Sequence, residues 1–485
     1  MNYSMIRYVL LKVVELTGAL MTLPMMVAAV YGEWKDAEMF AVLVICCFLI
    51  GFIGGKIFRP VNRVFFAREG FVVTALSWLL ISMIGALPFV LSGTTASYVD
   101  ALFETVSGFT TTGASILKDA GAVRYGVQFW RCFTHWIGGM GVLVFMLAIL
   151  PMADGYSMHL MRAESPGPAV GKFVPRVKDT AKILYVIYIG FTLIEIVLLK
   201  IAGLNLYEAS TLTFSTVGTG GFSLVSSGCK NYPLAAQTIM TVFMALCGIN
   251  FSVYYLILTR RFKEAWHCDE MRWYLITMLG SGSLIAFNIY RAGLVATPYL
   301  AFHHAMFTVS SIMTTTGFAT LDYNVWPQFS RTLLFILTLI GACAGSTGGG
   351  LKFSRLVILV RNVRNELVFT IHPKSMRRVM MDGHSVEGTT VKSVSAYLAC
   401  YVFIFFSSFL IVSTDGFDFE TNISAIAATF NNVGPGLNMV GPIGNYSEFS
   451  DLSKFVMILD MLAGRLEIMP LLTLFSFRTW KKYIR

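Results

Sequence analysis

Long apolar stretches recur along this chain, separated by short polar segments. Windows without Asp, Glu, Lys or Arg cover residues 16–32, 39–55, 71–91, 132–153, 231–259, 273–290, 332–351 and 393–414. Two further apolar stretches are interrupted by charge, at about 183–203 by Glu195 and at about 453–477 by Asp460, Arg465 and Glu467. A helix needs about 20 apolar residues to cross a hydrocarbon core. The pattern therefore predicts ten spans and an all-α polytopic membrane protein.

A second pattern sits between the spans. Thr110-Thr111-Thr112-Gly113, Ser215-Thr216-Val217-Gly218, Thr314-Thr315-Thr316-Gly317 and Asn431-Asn432-Val433-Gly434 recur roughly every 100 residues, the mark of an internal repeat. Lined up on those glycines, the position four earlier reads Phe109, Phe214, Met313 and Phe430. In the first copy, Asp100 to Phe109 is too short to cross a membrane, so it is predicted to dip in as a half-helix and stop at Thr110. The chain then divides into a two-helix preface (1–60) and four units, 61–178, 179–269, 270–392 and 393–485, each reading helix, half-helix, turn, helix.

Composition narrows the class. With 56% hydrophobic and only 13% charged residues and a mean hydropathy of +0.68, the chain is neither an ordinary soluble enzyme nor a disordered protein. The net charge of +10 is distributed by topology: with the N-terminus inside, inner segments carry Lys and Arg over outer ones by roughly three to one. Both termini are thus expected in the cytoplasm and all four turns on the outer side. An inner-leaflet role for the charge replaces a nucleic-acid reading. Glu15 and the second apolar span behind it argue that the first span is retained rather than cleaved as a signal peptide. Cysteines show no metal spacing; a disulfide between Cys132 and Cys229 stays open.

A half-helix entering from outside points its C-terminal carbonyls at the membrane centre, where the macrodipole favours a cation. Acidic residues near its outer N-terminus suit the opposite end, as Asp100 and Glu104, Glu208, and Asp418 and Glu420 do; unit three has Pro298, His303 and His304 instead. Non-helical backbone at membrane depth survives only where protein or a water-filled cavity takes its polar groups. Carbonyls aimed along an axis can replace a cation's water shell, with dihedrals that glycine adopts freely. Helix-packing glycine beside incidental threonine is the alternative; four copies between paired helices favour the ion path.

These residues carry a family resemblance. The four Thr/Asn-x-Gly turns look like a one-chain counterpart of the potassium-channel filter, and nearly the whole chain resembles the Trk/Ktr/HKT superfamily of cation-translocating proteins, most of all the membrane subunit of bacterial Trk potassium-uptake systems. The resemblance implies four helix–pore half-helix–filter–helix repeats in pseudo-fourfold arrangement around one pore. It implies a selectivity filter for K+ formed by Thr111, Thr112, Gly113, Thr216, Val217, Gly218, Thr315, Thr316, Gly317, Asn432, Val433 and Gly434. In that superfamily a serine at the first filter glycine goes with sodium, so Gly113 argues for potassium. Ala114, Thr219, Phe318 and Pro435 follow the glycines and make the symmetry approximate.

Unit three holds a run of small residues from Gly341 to Gly350, with Gly345, Gly348 and Gly349 between them. Glycine costs about 1 kcal/mol against alanine in a helix, so a break is predicted inside the returning span. The resemblance makes it a gating loop; a tight packing surface is the alternative. Leu351 stands where a phosphate loop needs lysine, and Gly167 to Lys172 has the wrong glycine spacing, so no nucleotide site is read here. Arg465 falls inside the last span, where an arginine costs about 2.5–3.5 kcal/mol unless it faces a cavity or partner. Asp460 and Glu467 are poorly spaced to pair with it, and the carbonyls of 341–350 fit better. By resemblance it is a gate residue; a structural ion pair is the alternative. Glu195 is either buried and paired or near the outer interface.

The predicted function is potassium uptake across the bacterial inner membrane, with K+ as cargo, no cofactor in this chain, no catalytic residue and no enzymatic activity. Obligate symport with H+ or Na+ is the competing reading. The basic segment 352–392, with Arg361, Arg364, Lys374, Arg377 and Arg378, offers a docking surface, unless its charge reflects topology alone. The resemblance supplies the partner, a cytoplasmic TrkA-like nucleotide-binding subunit, and implies a homodimer.

Overall fold

The apolar windows fold as helices that pack around four short ones. A computed structural model describes residues 1–58, 60, 67–141, 177–375 and 377–480. The second half of window 132–153 and the stretch Gly167 to Lys172 lie outside the described residues.

The preface is the hairpin α1 (Tyr3–Val30) and α2 (Trp34–Ile57). Its helices approach closely because Gly18 faces Cys47, Gly51 faces Glu15 and Gly54 faces Leu11, small residues at a membrane-type helix contact. The hairpin clips to unit one: Glu33 accepts from the Tyr125 and Gly126 amides at 2.8 Å each, and Asp36 pairs with Arg124 at 2.9 Å. The far face of α2 exposes Ile45, Leu49, Phe52 and Ile53, as a lipid-facing surface would.

Unit one comprises α3 (Ala67–Gly85) continued by α4 (Leu87–Leu91), then α5 (Tyr98–Phe109) and α6 (Tyr125–Gly139). Unit two comprises α7 (Val177–Ile201), α8 (Leu206–Val217), α9 (Leu234–Cys247) and α10 (Phe251–Leu258). Unit three comprises α11 (Asp269–Arg291), α12 (Pro298–Met313), α13 (Gln328–Ile340) and α14 (Phe353–Ile371). Unit four comprises α15 (Gly388–Val412), α16 (Phe419–Phe430), α17 (Asp451–Leu466) and α18 (Ile468–Phe475). Tyr3 Oη donates to the Trp480 carbonyl at 3.4 Å, which brings both ends of the described chain to one face.

Among the described residues, five helices are long and apolar enough to cross a membrane, six if α9 and α10 count as one span bent by 91°. The continuous crossing expected for 231–259 is therefore corrected: it breaks at Gly248-Ile249-Asn250, where the Asn250 side chain caps α10 by accepting from the Ser252 amide at 2.9 Å. The expected break in unit three is present, since α13 ends at Ile340 and α14 begins at Phe353. Unit four breaks as well, at Glu467, whose φ is +60°.

The cores join neighbouring units. Trp78, Phe103 and Trp130 of unit one share a core with Phe430 and Met461 of unit four. Tyr274 and Val309 of unit three pack with Val253 of unit two and Val433 of unit four. Tyr188, Val217 and Phe251 of unit two form a cluster against which Trp136 of unit one packs.

Candidate functional site: a ring of four turns

The short helices are built alike. α5, α8 and α16 have 12 residues and α12 has 16, so the shorter ones span about 18 Å, well short of a hydrocarbon core of about 30 Å. Each starts on a capping side chain: Ser97, Asn205, Thr297 and Asp418 accept from the amides of Asp100, Glu208, Leu300 and Thr421. Pro298 occupies the first helical position of α12, where its missing N–H costs nothing. Asp100, Glu208 and Glu420 lie in first turns, as the macrodipole favours. Glu104 does not: it is fully buried in the middle of α5 and accepts from Arg131 Nε at 2.6 Å.

The outer ends of α16 and of the turn behind it are tied by Asp418. Burial alone would push its carboxyl up, but hydrogen bonds from the Thr421 hydroxyl and amide and from Asn438 Nδ2 hold it below the usual carboxylate value.

Each short helix ends in the same motif. Two residues past the last helical one, Thr111, Thr219, Thr315 and Asn432 take left-handed φ of +55°, +55°, +61° and +56°. The next amides, of Thr112, Gly220, Thr316 and Val433, each reach back five residues at 2.8 Å, to the carbonyls of Ser107, Ser215, Ser311 and Ala428. This is a Schellman termination with a β-branched residue at three of the positions where glycine is usual. Threonine at positive φ is strained, a feature that gathers at functional sites.

The motif corrects the register in unit two. Thr216 and Val217 are still helical and Gly218, at φ −71°, is the cap residue. The turn is Thr219-Gly220-Gly221, three residues later than the sequence alignment placed it, because α8 runs on to Val217 before its ladder closes. A Cβ on Gly218 would meet the carbonyls of His135 and Phe214, not another turn.

With that register the turns meet in order. The space a Cβ would need at Gly113 is held by the Gly220 carbonyl oxygen; at Gly221 by that of Thr316; at Gly317 by that of Val433; and at Gly434 by that of Thr112. All four glycines have positive φ, from +77° to +92°. The cycle closes on itself: Thr112, Gly113, Gly220, Gly221, Thr316, Gly317, Val433 and Gly434 form one ring. Gly113, Gly221, Gly317 and Gly434 line a cavity of about 90 Å³, with Ala114, Phe222, Phe318 and Pro435 around it.

The opposite side of the ring is covered by residues 341–352. Gly341, Gly345 and Gly350 have positive φ, and nearly all the segment is buried. Gly348 packs against the Thr314 carbonyl and Gly349 against that of Asn431. The Gly349 amide donates to Thr315 Oγ1 at 2.6 Å, Cys343 N to the Gly248 carbonyl at 3.0 Å, and Phe251 N to the Gly345 carbonyl at 3.0 Å. Glu270 accepts from the amides of Ala344 and Ser354 at 2.6 and 2.8 Å, and Lys352 Nζ donates to the Gly348 carbonyl. Sequence reasoning missed Glu270 and Lys352; being the first charge after window 332–351 was the signal available for Lys352, whereas Glu270 lies behind Arg272 and carried none.

Arg465, in the last turn of α17, reaches under the ring. Its Nη1 donates to the Thr347 carbonyl at 2.7 Å and to Thr111 Oγ1 at 3.3 Å; its Nη2 donates to the carbonyls of Gly138 and Gly139 at 2.5 and 2.7 Å. The contact with the 341–350 carbonyls expected from sequence is present. Asp460 accepts from Ser408 at 2.8 Å, and Glu467 pairs with Arg355. Glu195 is fully buried beside Thr216. Cys132 and Cys229 are buried free thiols, so the disulfide left open above is not formed.

Beyond the covering segment, an Asp382-Gly383 hairpin joins Met380–Met381 to His384–Ser385. Asp269 accepts from Arg361 at 2.8 Å and from the Asp382 amide at 3.1 Å. Burial would raise the Asp269 carboxyl, but these bonds hold it below its ordinary value. Arg361 is therefore engaged within the chain rather than presented for docking, while Arg364, Lys374, Arg377 and Arg378 are exposed.

Residues 40–482 match the family model described as TrkH, cation transport protein. The Trk system potassium uptake protein TrkH of Salmonella typhimurium is 33% identical over 99% of this chain and its own full length. The TrkG protein of Escherichia coli is 31% identical, covering 96% of both chains. The crystal structure of the potassium transporter TrkH from Vibrio parahaemolyticus superposes with a TM-score of 0.88 and 31% identity, over 99% of this chain and 100% of that one.

Proposed function

The chain belongs to the TrkH family of cation transport proteins, and from that premise we propose that it is a multi-pass membrane protein for potassium uptake whose ring of four turns is the selectivity filter. The observation that carries this reading is the closed cycle in which each glycine rests on the next turn's carbonyl. Such a ring presents main-chain oxygens from four sides at the C-terminal ends of four short helices, where a cation is favoured and its water shell can be replaced. Four repeats then surround one pore in pseudo-fourfold fashion behind the preface. The oxygens come from Thr111, Thr112, Gly113, Thr315, Thr316, Gly317, Asn432, Val433 and Gly434, with Thr219, Gly220 and Gly221 in place of Thr216, Val217 and Gly218.

The segment with Gly341, Gly345, Gly348, Gly349 and Gly350 is the gate, seated across the path beneath the ring and held there by Arg465. Its position supports a shut state. The exposed arginines and Lys374 of 352–392 dock a cytoplasmic TrkA-like nucleotide-binding subunit, both termini face the same cytoplasm, and the working unit in the inner membrane is a homodimer. Buried carboxyls at Glu195 and Asp460, inside spanning helices, favour the second reading, obligate symport with H+ or Na+.

Liposomes holding purified protein and only an outward-facing K+ gradient separate the readings. Rubidium should accumulate without any proton or sodium gradient, K+ should compete with it far better than Na+, and Gly113→Ser should erode that preference. Rubidium flux that needs a second ion gradient would leave symport; a Gly113→Ser variant as selective as the parent would remove the ring from the ion path.

A further inference from the structure

We propose that Glu104 and Arg131 are positioning residues that lock the first and second turns together and so set how well the ring discriminates K+ from Na+. The proposal rests on the ring being the filter. Glu104 lies in the middle of α5 and Arg131 on α6; both are buried, at 0% and 2% exposure. Their oxygens and nitrogens are spent on the two chain segments that leave the ring at one junction. From the first segment, Ser115 Oγ donates to Glu104 at 3.0 Å and the Ile116 amide at 2.9 Å, while Arg131 Nη2 donates to Ser115 Oγ at 3.2 Å. From the second, the Ser223 carbonyl accepts from Arg131 Nη1 at 3.0 Å, and the guanidinium lies 3.6 Å from the centre of the Phe222 ring. Residues 115–116 and 222–223 come within three residues after Gly113 and Gly221, at the junction where Gly113 rests on the Gly220 carbonyl.

Stability alone does not account for such a pair. Desolvating two charges costs several kcal/mol per ion, and apolar replacements of similar volume are often neutral or better. What an ion pair adds is directional, charge-strengthened hydrogen bonding at fixed positions. Beside the ring, the other junctions carry neutral bonds: Cys229 N to the Ala319 carbonyl at 2.8 Å, Tyr323 Oη to that of Gly436 at 3.0 Å, and Tyr446 N to that of Ser115 at 2.8 Å; the ion pairs between those units, Arg331 with Glu420 and Lys454 with Asp100, join the first turns of the short helices instead. Arg131 also lines the cavity. A lone positive charge there would oppose an arriving cation; Glu104 cancels it at contact distance, so the clamp fixes geometry without opposing occupancy.

The test uses the full-length protein in liposomes and reads rubidium uptake with sodium as competitor. Glu104→Gln and Arg131→Lys are each expected to lower the preference for Rb+ over Na+ by about tenfold, a loss of fine cation fit rather than of flux. Glu104→Asp should recover part of it, and Ser115→Ala should shift it in the same direction by a smaller factor. Clamp variants that discriminate like the parent, while Gly113→Ser does not, overturn the clamp and leave the filter standing. Unchanged discrimination in Gly113→Ser as well brings down both. If the charge variants do not fold, Ser115→Ala decides, and parental selectivity there refutes the clamp.

Discussion

Replacing Arg465 by alanine tests the proposed gate. The guanidinium donates to the covering segment at Thr347, and to Thr111, Gly138 and Gly139 of unit one. A hydrogen bond from a charged donor contributes about 1.5–3 kcal/mol. Losing the Thr347 contact should therefore shift the balance between seated and withdrawn segment by about 10- to 150-fold. Full release is not expected, because Glu270 still holds the Ala344 and Ser354 amides and Thr315 still holds that of Gly349. Unstimulated rubidium flux into liposomes, without any partner subunit, should rise accordingly. Arg465→Lys keeps the charge but loses the fork that reaches three carbonyls. Equal flux in the lysine and alanine variants assigns the effect to the hydrogen bonds; a rise in alanine alone assigns it to removal of a positive charge from the path. Alanine protein that folds and leaks no more than the parent would refute the reasoning.

Four more outcomes follow from the geometry. Gly221→Ala forces a Cβ into the Thr316 carbonyl at a left-handed φ, a conformation costing alanine about 1–2 kcal/mol, and should degrade Rb+ over Na+ preference. Gly218→Ala presses on the His135 carbonyl instead and should lower thermal stability while the surviving protein stays selective; the reverse pairing would sink the revised register. Thr315→Val removes the acceptor of the Gly349 amide, a bond of about 1 kcal/mol, so unstimulated flux should rise about fivefold, and an unchanged flux would show that this bond does not hold the segment. The Asp418 carboxyl is depressed in the folded protein, so its capping contribution is complete above the ordinary carboxylate pKa and is lost as pH falls through the lowered value. The melting-temperature gap between the parent and Asp418→Ala should thus be flat from about pH 5 to 8 and close only below about pH 4, whereas a gap that closes near neutrality would be inconsistent with the cap.

The helices, the short ones among them and the break after Ile340 could be read from the residues, because apolar periodicity, caps and glycine runs are local signals. Unit two shows where local signals compete. Gly218 and Gly221 each stand two positions after a threonine, Thr216 or Thr219, and only the backbone ladder decides between them. Alignment on Thr111, Thr219, Thr315 and Asn432, the residues that take positive φ, would have found the register. The bend at Gly248 was hidden by unbroken apolar sequence, although Asn250 is a good cap. Glu104 read as a helix-dipole residue because Arg131, its partner, lies on the next helix. Glu270 is brought against Ala344 only by the packing of α11 on α14, a relation no window along the chain contains.

The ring has a seam with consequences for how the protein is made. Its last joint binds residues from opposite ends of the chain: Asn432 Nδ2 donates to Thr112 Oγ1 at 3.0 Å, and Lys454 meets Asp100 at 2.7 Å. A ribosome working from the N-terminus delivers unit one long before its counterpart exists, and domains form as they emerge. During that interval the Thr112 carbonyl and the α5 flank must be shielded in the bilayer by something other than unit four, since bare polar backbone is costly there. Nascent chains stopped before α16 should accordingly be prime substrates for membrane quality-control proteases, and a few further helices of synthesis should convert them into long-lived protein.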